Sequence, residues 1–166
     1  MRIETQRLQL RALLPRELEL WTEDIAAFER ELDVFYRAEA LTGDFFNIVK
    51  GQCRAVRADS ANYMWRSFWL LIRREDRVVV GSADFKDVPD ASGAVEIGYG
   101  LGPAFEKNGY MTEAVAAMCT WALRQQDVSA VVAETEMWNA ASERVLQRCG
   151  FHITRTERTR WWRLER

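Results

Sequence analysis

A strand that runs into glycines and feeds a helix constrains this chain more than any other stretch. Val95 to Ala114 reads VEIGYGLGPAFEKNGYMTEA. Glycines at 98, 100 and 102 let backbone approach backbone or ligand, and the turn at Lys107-Asn108-Gly109 brings free N–H groups to the positive end of a helix dipole. Such a turn binds phosphate: Gly109 supplies a conformation or an approach that a Cβ would block, and Lys107 adds a cation. The pattern is neither GxGxxG nor GxxxxGKS/T, so taken alone an ordinary strand–loop–helix connection is its plainer reading.

A second stretch, Asn139 to Phe151, reads NAASERVLQRCGF. Asn139 is placed to cap a helix and Ser142 lies at its first turn, so both polar side chains face one cleft. Capping explains both residues on its own. Val145 and Leu146 face inward, and Gly150 sits where a left-handed residue ends a helix of about Ala140 to Cys149, with Phe151 available for the closing apolar contact.

Periodicity orders the rest. Ile3 to Arg11 reads as a strand, and Pro15 opens a helix with Leu18, Trp21, Ile25 and Phe28 on one face. A helix around Phe45 to Asp59 is expected within an irregular aromatic stretch. Phe68 to Ile72, Val78 to Phe85 and Ala94 to Leu101 form an antiparallel meander. Ala114, Val115, Met118, Cys119 and Ala122 share a face of a helix over roughly Gly109 to Arg124, followed by a buried strand from Val128 to Thr135. Phe151 to Thr156 and Thr159 to Leu164 close as an antiparallel pair. No linker or repeat interrupts the pattern, which makes residues 1–166 one α+β domain with a mixed, mainly antiparallel sheet.

Composition removes several function classes. The 166 residues are 48% hydrophobic, enough for one core, and a formal charge of −2 gives no basic field for nucleic acid. One histidine, His152, and three scattered cysteines, Cys53, Cys119 and Cys149, make no metal-ligand pattern or disulfide framework. No long apolar run or signal-peptide core is present, so a cytoplasmic protein without membrane attachment is expected. The charge is polarised along the chain: −7 over Glu17 to Asp44 and +5 over Arg144 to Arg166. Balanced solvated faces explain this as well as a field that draws a cationic substrate to one part and a polyanion to the other.

With EIGYGLGPAFEKNGYMTEAV followed about 25 residues later by NAASERVLQRCGF, the chain resembles the GNAT acetyltransferase superfamily, in the branch of the ribosomal-protein N-terminal acetyltransferases. The opening IETQRLQLR is similar to that branch's first strand. The resemblance implies a three-layer fold with helices on both faces and two splayed parallel strands at the centre, holding acetyl-CoA between the strand ending at Leu101 and that from Val128 to Thr135. The family's pyrophosphate loop, Q/R-x-x-G-x-G/A, maps onto Glu106-Lys107-Asn108-Gly109-Tyr110-Met111. Glu106 and Met111 depart from it, which shifts the contact onto the backbone amides of Lys107, Asn108, Gly109, Tyr110, Met111 and Thr112. Asn139 matches the pantetheine-contacting asparagine and Ser142 a serine near the CoA sulfur. Arg144 and Arg148 are within reach of CoA phosphates or are solvated helix surface.

The implied reaction is direct N-acetylation of a primary amine, on a small molecule or a protein N-terminus, without a metal. A free backbone N–H near Leu101 would bind the acetyl carbonyl. Glu96 matches a frequent general base acting through water, and would otherwise form a salt bridge. The tyrosine that many relatives carry four residues after the serine is replaced by Leu146, leaving Ser142 or water to protonate the thiolate. The cysteines read as core residues. A noncatalytic acyl-CoA-binding or sensor module is the alternative, and Trp161 beside Trp162 raises a third, interaction role, with the chain a monomer or homodimer.

Overall fold

The computed structural model describes residues 1–166 throughout. The chain opens with a hairpin of β1 (Arg2–Glu4) and β2 (Leu8–Ala12), where a single strand was expected. Thr5 makes the turn: its N–H donates to Leu8 O and its Oγ1 accepts the Leu8 N–H, both at 2.9 Å. The apolar alternation continues through the turn and conceals it.

The helix after Pro15 is also divided, into α1 (Pro15–Glu23) and α2 (Ile25–Leu32). Asp24 lies between them with extended backbone and caps α2, its Oδ1 accepting the Ala27 N–H at 2.9 Å. The break turns Ile25 into solvent, while Leu18, Trp21 and Phe28 are buried. The middle supplies β3 (Phe35–Tyr36), α3 (Gly43–Ala58), a 3-10 turn at Ser60–Asn62 and α4 (Tyr63–Arg66).

The meander is present as β4 (Phe68–Arg73), β5 (Val78–Phe85) and β6 (Ala94–Leu101). A 3-10 turn at Pro103–Phe105 leads to α5 (Tyr110–Leu123), β7 (Ala130–Glu136), α6 (Ala140–Arg148), β8 (His152–Thr156) and β9 (Thr159–Glu165). The α6 terminus is a Schellman turn, with Phe151 N–H bonded to Leu146 O at 3.0 Å, Gly150 N–H to Gln147 O at 3.1 Å, and Gly150 at φ +88°.

The nine strands form one sheet in the order β1-β2-β4-β5-β6-β7-β9-β8, with β3 alongside the start of β5. Pairing is antiparallel except for β3 with β5 and β6 with β7. Two cores flank the sheet. One joins Val95, Ile97, Met111, Ala114, Met118, Leu146 and Trp162 under α5 and α6. The other joins Leu18, Trp21, Phe28, Val49, Val56, Phe68 and Leu70 under α1 to α3. With both faces covered, the FWLLI run of β4 is buried throughout and does not alternate. This is a three-layer α/β/α molecule.

Candidate active site

The parallel strands β6 and β7 pair over three residues only, Ala94–Glu96 with Ala130–Val132, and then part. On its other side β6 stays in unbroken register with β5 from Ile97 to Leu101. The bonds Lys86 N–H to Glu96 O and Gly102 N–H to Val80 O, both 2.9 Å, turn the even-numbered backbone groups of β6 toward β5. Those of Tyr99 and Leu101 therefore face the gap to β7, beyond the last paired residue. A free amide near Leu101 was expected, and Tyr99 supplies a second.

At the mouth of this gap lies the start of α5. Lys107 and Gly109 adopt left-handed backbone, with φ of 61° and 78°. The amides of residues 107–112 donate to no group of the protein. A row of free N–H groups at the positive end of a 14-residue helix is able to donate to phosphate oxygens. Met111, a departure from the family loop, packs its side chain into the core at 6% exposure and leaves its amide in the row. The Asn108 side chain is spent within the loop, donating to Phe105 O and Glu106 O, so only its backbone remains for a ligand. Glu106 and Lys107 are exposed.

The cation that accompanies this helix end is one the sequence did not single out. Arg7, in the β1–β2 turn, donates Nη1 to Asn108 O at 2.8 Å and Nε to Glu113 Oε2 at 2.7 Å, and lies 4.6 Å over the Tyr110 ring. Its Nη2 would be 3.4 Å from a Cβ built on Gly109. Arg7, Arg73, Arg74 and Tyr110 line a cavity of about 410 Å³ beside the amides. No local pattern links residues a hundred positions apart. Of the C-terminal arginines, Arg160 is paired with Glu143 and Arg163 with Glu165, while Arg144 and Arg148 are exposed on α6.

Across the gap, Asn139 caps α6 with Oδ1, which accepts the Ser142 N–H at 3.1 Å. Its Nδ2 makes no bond within the protein. Trp138, just before it, is 79% exposed. The Ser142 hydroxyl lies 2.8 Å from that of Tyr99, and burial pushes the Tyr99 phenol well above its ordinary range. The position where relatives carry a tyrosine, Leu146, is fully buried, but a phenol from β6 reaches the same serine. Nothing local in the sequence marks Tyr99, because its hydroxyl partner is 43 residues away.

The opposite face of β6 carries Glu96, Gly98 and Gly100. Glu96 is half-buried, 3.5 Å from Lys86 Nζ, which is the salt bridge weighed against a catalytic role for this carboxylate. Beside it, on β5, is Asp84, which sequence reasoning passed over as an interior strand residue. Asp84 is 6% exposed and its Oδ2 accepts from Gln52 Nε2 at 2.6 Å. Desolvation raises its carboxyl to about 6, against the lowering pull of Gln52 and Lys86. Burial likewise raises the Cys149 thiol to about 11 and Cys119 further, so neither is a thiolate near neutrality.

A sheet splayed between two parallel strands, with a row of free amides where the helix after the first one begins, is the GNAT-like acetyltransferase architecture. Residues 7–152 match the acetyltransferase (GNAT) domain, and the chain belongs to that family. It is 26% identical over 149 residues to the uncharacterized N-acetyltransferase YjdG of Bacillus subtilis (strain 168), covering 90% of this chain and 88% of that one. RimL, a ribosomal L7/L12 α-N-protein acetyltransferase solved in complex with coenzyme A, superposes with a TM-score of 0.70 at 17% identity, over 99% of this chain and 98% of RimL. The ribosomal-protein-S5-alanine acetyltransferase of Vibrio fischeri gives 0.68 at 14% identity, over 99% and 96%. Ribosomal-protein acetyltransferases are thus among its structural neighbours, in line with the branch that the sequence resembles.

Proposed function

We propose that residues 1–166 act as one acyl-CoA N-acyltransferase domain that moves the acetyl group of acetyl-CoA directly onto a primary amine. The observation that carries this reading is the unfilled row of amides from Lys107 to Thr112, opening onto the gap between β6 and β7. The row receives the pyrophosphate, with Arg7 adding charge. Asn139 Nδ2 holds the pantetheine arm, and the Tyr99 or Leu101 amide holds the acetyl carbonyl oxygen where negative charge grows in the tetrahedral intermediate.

The amine attacks as the free base. Glu96 takes its proton through water, the carbon–sulfur bond breaks, and the CoA thiolate leaves while accepting a hydrogen bond from the Tyr99–Ser142 hydroxyl pair, taking its proton from solvent. A phenol held protonated by burial donates a hydrogen bond to the departing sulfur and keeps its proton. The CoA thiol, near the thiol reference of about 8.5, leaves without strong assistance, so this pair accelerates the step and is not indispensable to it. The acceptor is a small amine or a peptide N-terminus, in the cytoplasm. No helix is long and apolar enough to cross a membrane.

A calorimetric titration with acetyl-CoA, followed by thiol release with a panel of amines, tests the reading. Saturable binding and amine-dependent CoA release are expected, with Glu96→Gln lowering kcat and sparing binding. Binding without release on any amine, unchanged by Glu96→Gln, would favour an acyl-CoA-binding module instead.

A further inference from the structure

One amine of the chain itself stands beside the strand on which the reaction is placed. The sequence holds three lysines, Lys50, Lys86 and Lys107. Lys50 is on α3, tied to Glu23 at 3.1 Å, and Lys107 is exposed in the loop before α5. Only Lys86 has a carboxylate of β6 at hand, with its Nζ 3.5 Å from Glu96 Oε1.

Lys86 directly follows β5, and its backbone N–H donates to Glu96 O at 2.9 Å, so the two residues stand opposite each other. The side chain leans away from that register and along β6, with Cε 3.3 Å from where a Cβ on Gly98 would stand. This is the direction in which β6 and β7 separate, since Glu96 with Val132 is their last pair. Gly98 and Gly100 place no side chain between the lysine and the stretch of β6 whose Tyr99 and Leu101 amides face the gap. The Lys86 side chain is 57% exposed, and a solvent-screened pair of this kind holds its ammonium only loosely, leaving it free to turn into the gap.

We propose, building on the transferase reading, that Lys86 is an acetylation site of the chain itself, and that the acetyl group of bound acetyl-CoA passes to its Nζ within the same molecule. The Lys86 ammonium gives one proton to Glu96, and the free amine bonds to the acetyl carbon. A second N–H proton is lost to water as the carbon–sulfur bond breaks, and the departing thiolate takes one from solvent, so that one proton is released overall. The product is a neutral amide. It no longer pairs with Glu96, and it does not accept a second acetyl group.

The test incubates the full chain with acetyl-CoA and no other amine, and follows intact mass and then peptide masses over time. One acetyl group per chain, on Lys86, is expected, with a rate constant independent of protein concentration because donor and acceptor are held in one molecule. Glu96→Gln should slow the labelling by about 10²-fold, as for loss of a general base. Lys86→Arg, which keeps the charge, should leave the folded chain unlabelled, while the urea-unfolded wild type should label every lysine alike and slowly. Equal labelling of Lys50 and Lys107 in the folded chain, a rate constant that rises with protein concentration, or a rate indifferent to Glu96→Gln overturns the proposal. Acetyl-CoA binding and turnover of added amines, measured on the same preparation, keep the two readings apart. Turnover of added amines with Lys86 unlabelled removes the proposal and leaves the transferase reading, whereas absence of acetyl-CoA binding removes both.

Discussion

The hydroxyls of Tyr99 and Ser142 lie 2.8 Å apart, joining β6 to the first turn of α6 across the gap where the two central strands part. A phenol held protonated, bonded to a serine whose own backbone N–H is fixed by Asn139, is a preorganised donor for a charge that appears on sulfur during the reaction. Tyr99→Phe and Ser142→Ala should each lower kcat, by up to about 10²-fold, and change the dissociation constant of acetyl-CoA little. Because the two hydroxyls act as one unit, the double variant should be no worse than the poorer single variant. Steady-state rates and calorimetry on the three proteins check this.

Arg7 ties the β1–β2 turn to α5 through Glu113, Asn108 O and the Tyr110 ring. Arg7→Ala should weaken acetyl-CoA binding about tenfold, the scale of one charge-assisted hydrogen bond. The loss should shrink in high salt. Arg7→Lys should recover only part of it, since an ammonium cannot serve the same contacts as a guanidinium fork. Titrations at two ionic strengths give the answer.

Gly109 combines φ of +78° with a place in the amide row. Gly109→Ala should cost roughly 1–2 kcal/mol of stability through the left-handed backbone alone. A Cβ there meets Arg7 Nη2 only at ordinary contact distance, 3.4 Å, so acetyl-CoA affinity should fall only as far as the strained backbone turns the amide row out of place. Denaturant midpoints and calorimetry separate the two losses.

Asp84 gives a pH signature. Its carboxyl is raised from 3.8 to about 6 in the folded protein, first by burial. The folded state therefore holds this proton more tightly than the unfolded chain. The stability it confers is complete below about pH 4 and is lost as pH rises through about 6, a swing on the order of 3 kcal/mol. Gln52, Lys86 and Glu96 act on the group, and Asp59, Asp76, Asp90 and Glu113, lowered by their partners, work in the opposite sense. Comparison with Asp84→Asn removes these shared contributions. The variant should be more stable than wild type at pH 8, with the difference vanishing near pH 4 in urea titrations.

Much of the fold can be read from the sequence because its central elements obey one period each. The meander, the α5 stripe and the Gly150 terminus were all local signals. Two breaks were not legible. Thr5 and Asp24 interrupt runs whose apolar spacing continues past them, and the hydrogen bonds that fix the breaks are made by single polar side chains. The part of the candidate site built from the free amides of residues 107–112 and the Asn139 cap was legible, since the glycine-rich turn and the capping asparagine announce themselves. Tyr99, Asp84 and Arg7 were hidden for a shared reason. Each sits in a regular strand or turn position, and each draws its meaning from a partner 32 to 106 residues away: Ser142, Gln52 and Glu113. The acidic excess of residues 17–44 was a weaker guide, since Glu17, Glu19, Glu23, Glu29 and Glu31 are paired with arginine or lysine and only Glu39 reaches the β6 face.

A crystal structure of the chain with coenzyme A tests the central claim most directly. The pantetheine arm should lie between β6 and β7, its pyrophosphate on the amides of residues 107–112 and its sulfur within hydrogen-bonding reach of Tyr99 and Ser142. Coenzyme A bound elsewhere, with the gap between the two strands empty and the amide row unengaged, would contradict the account.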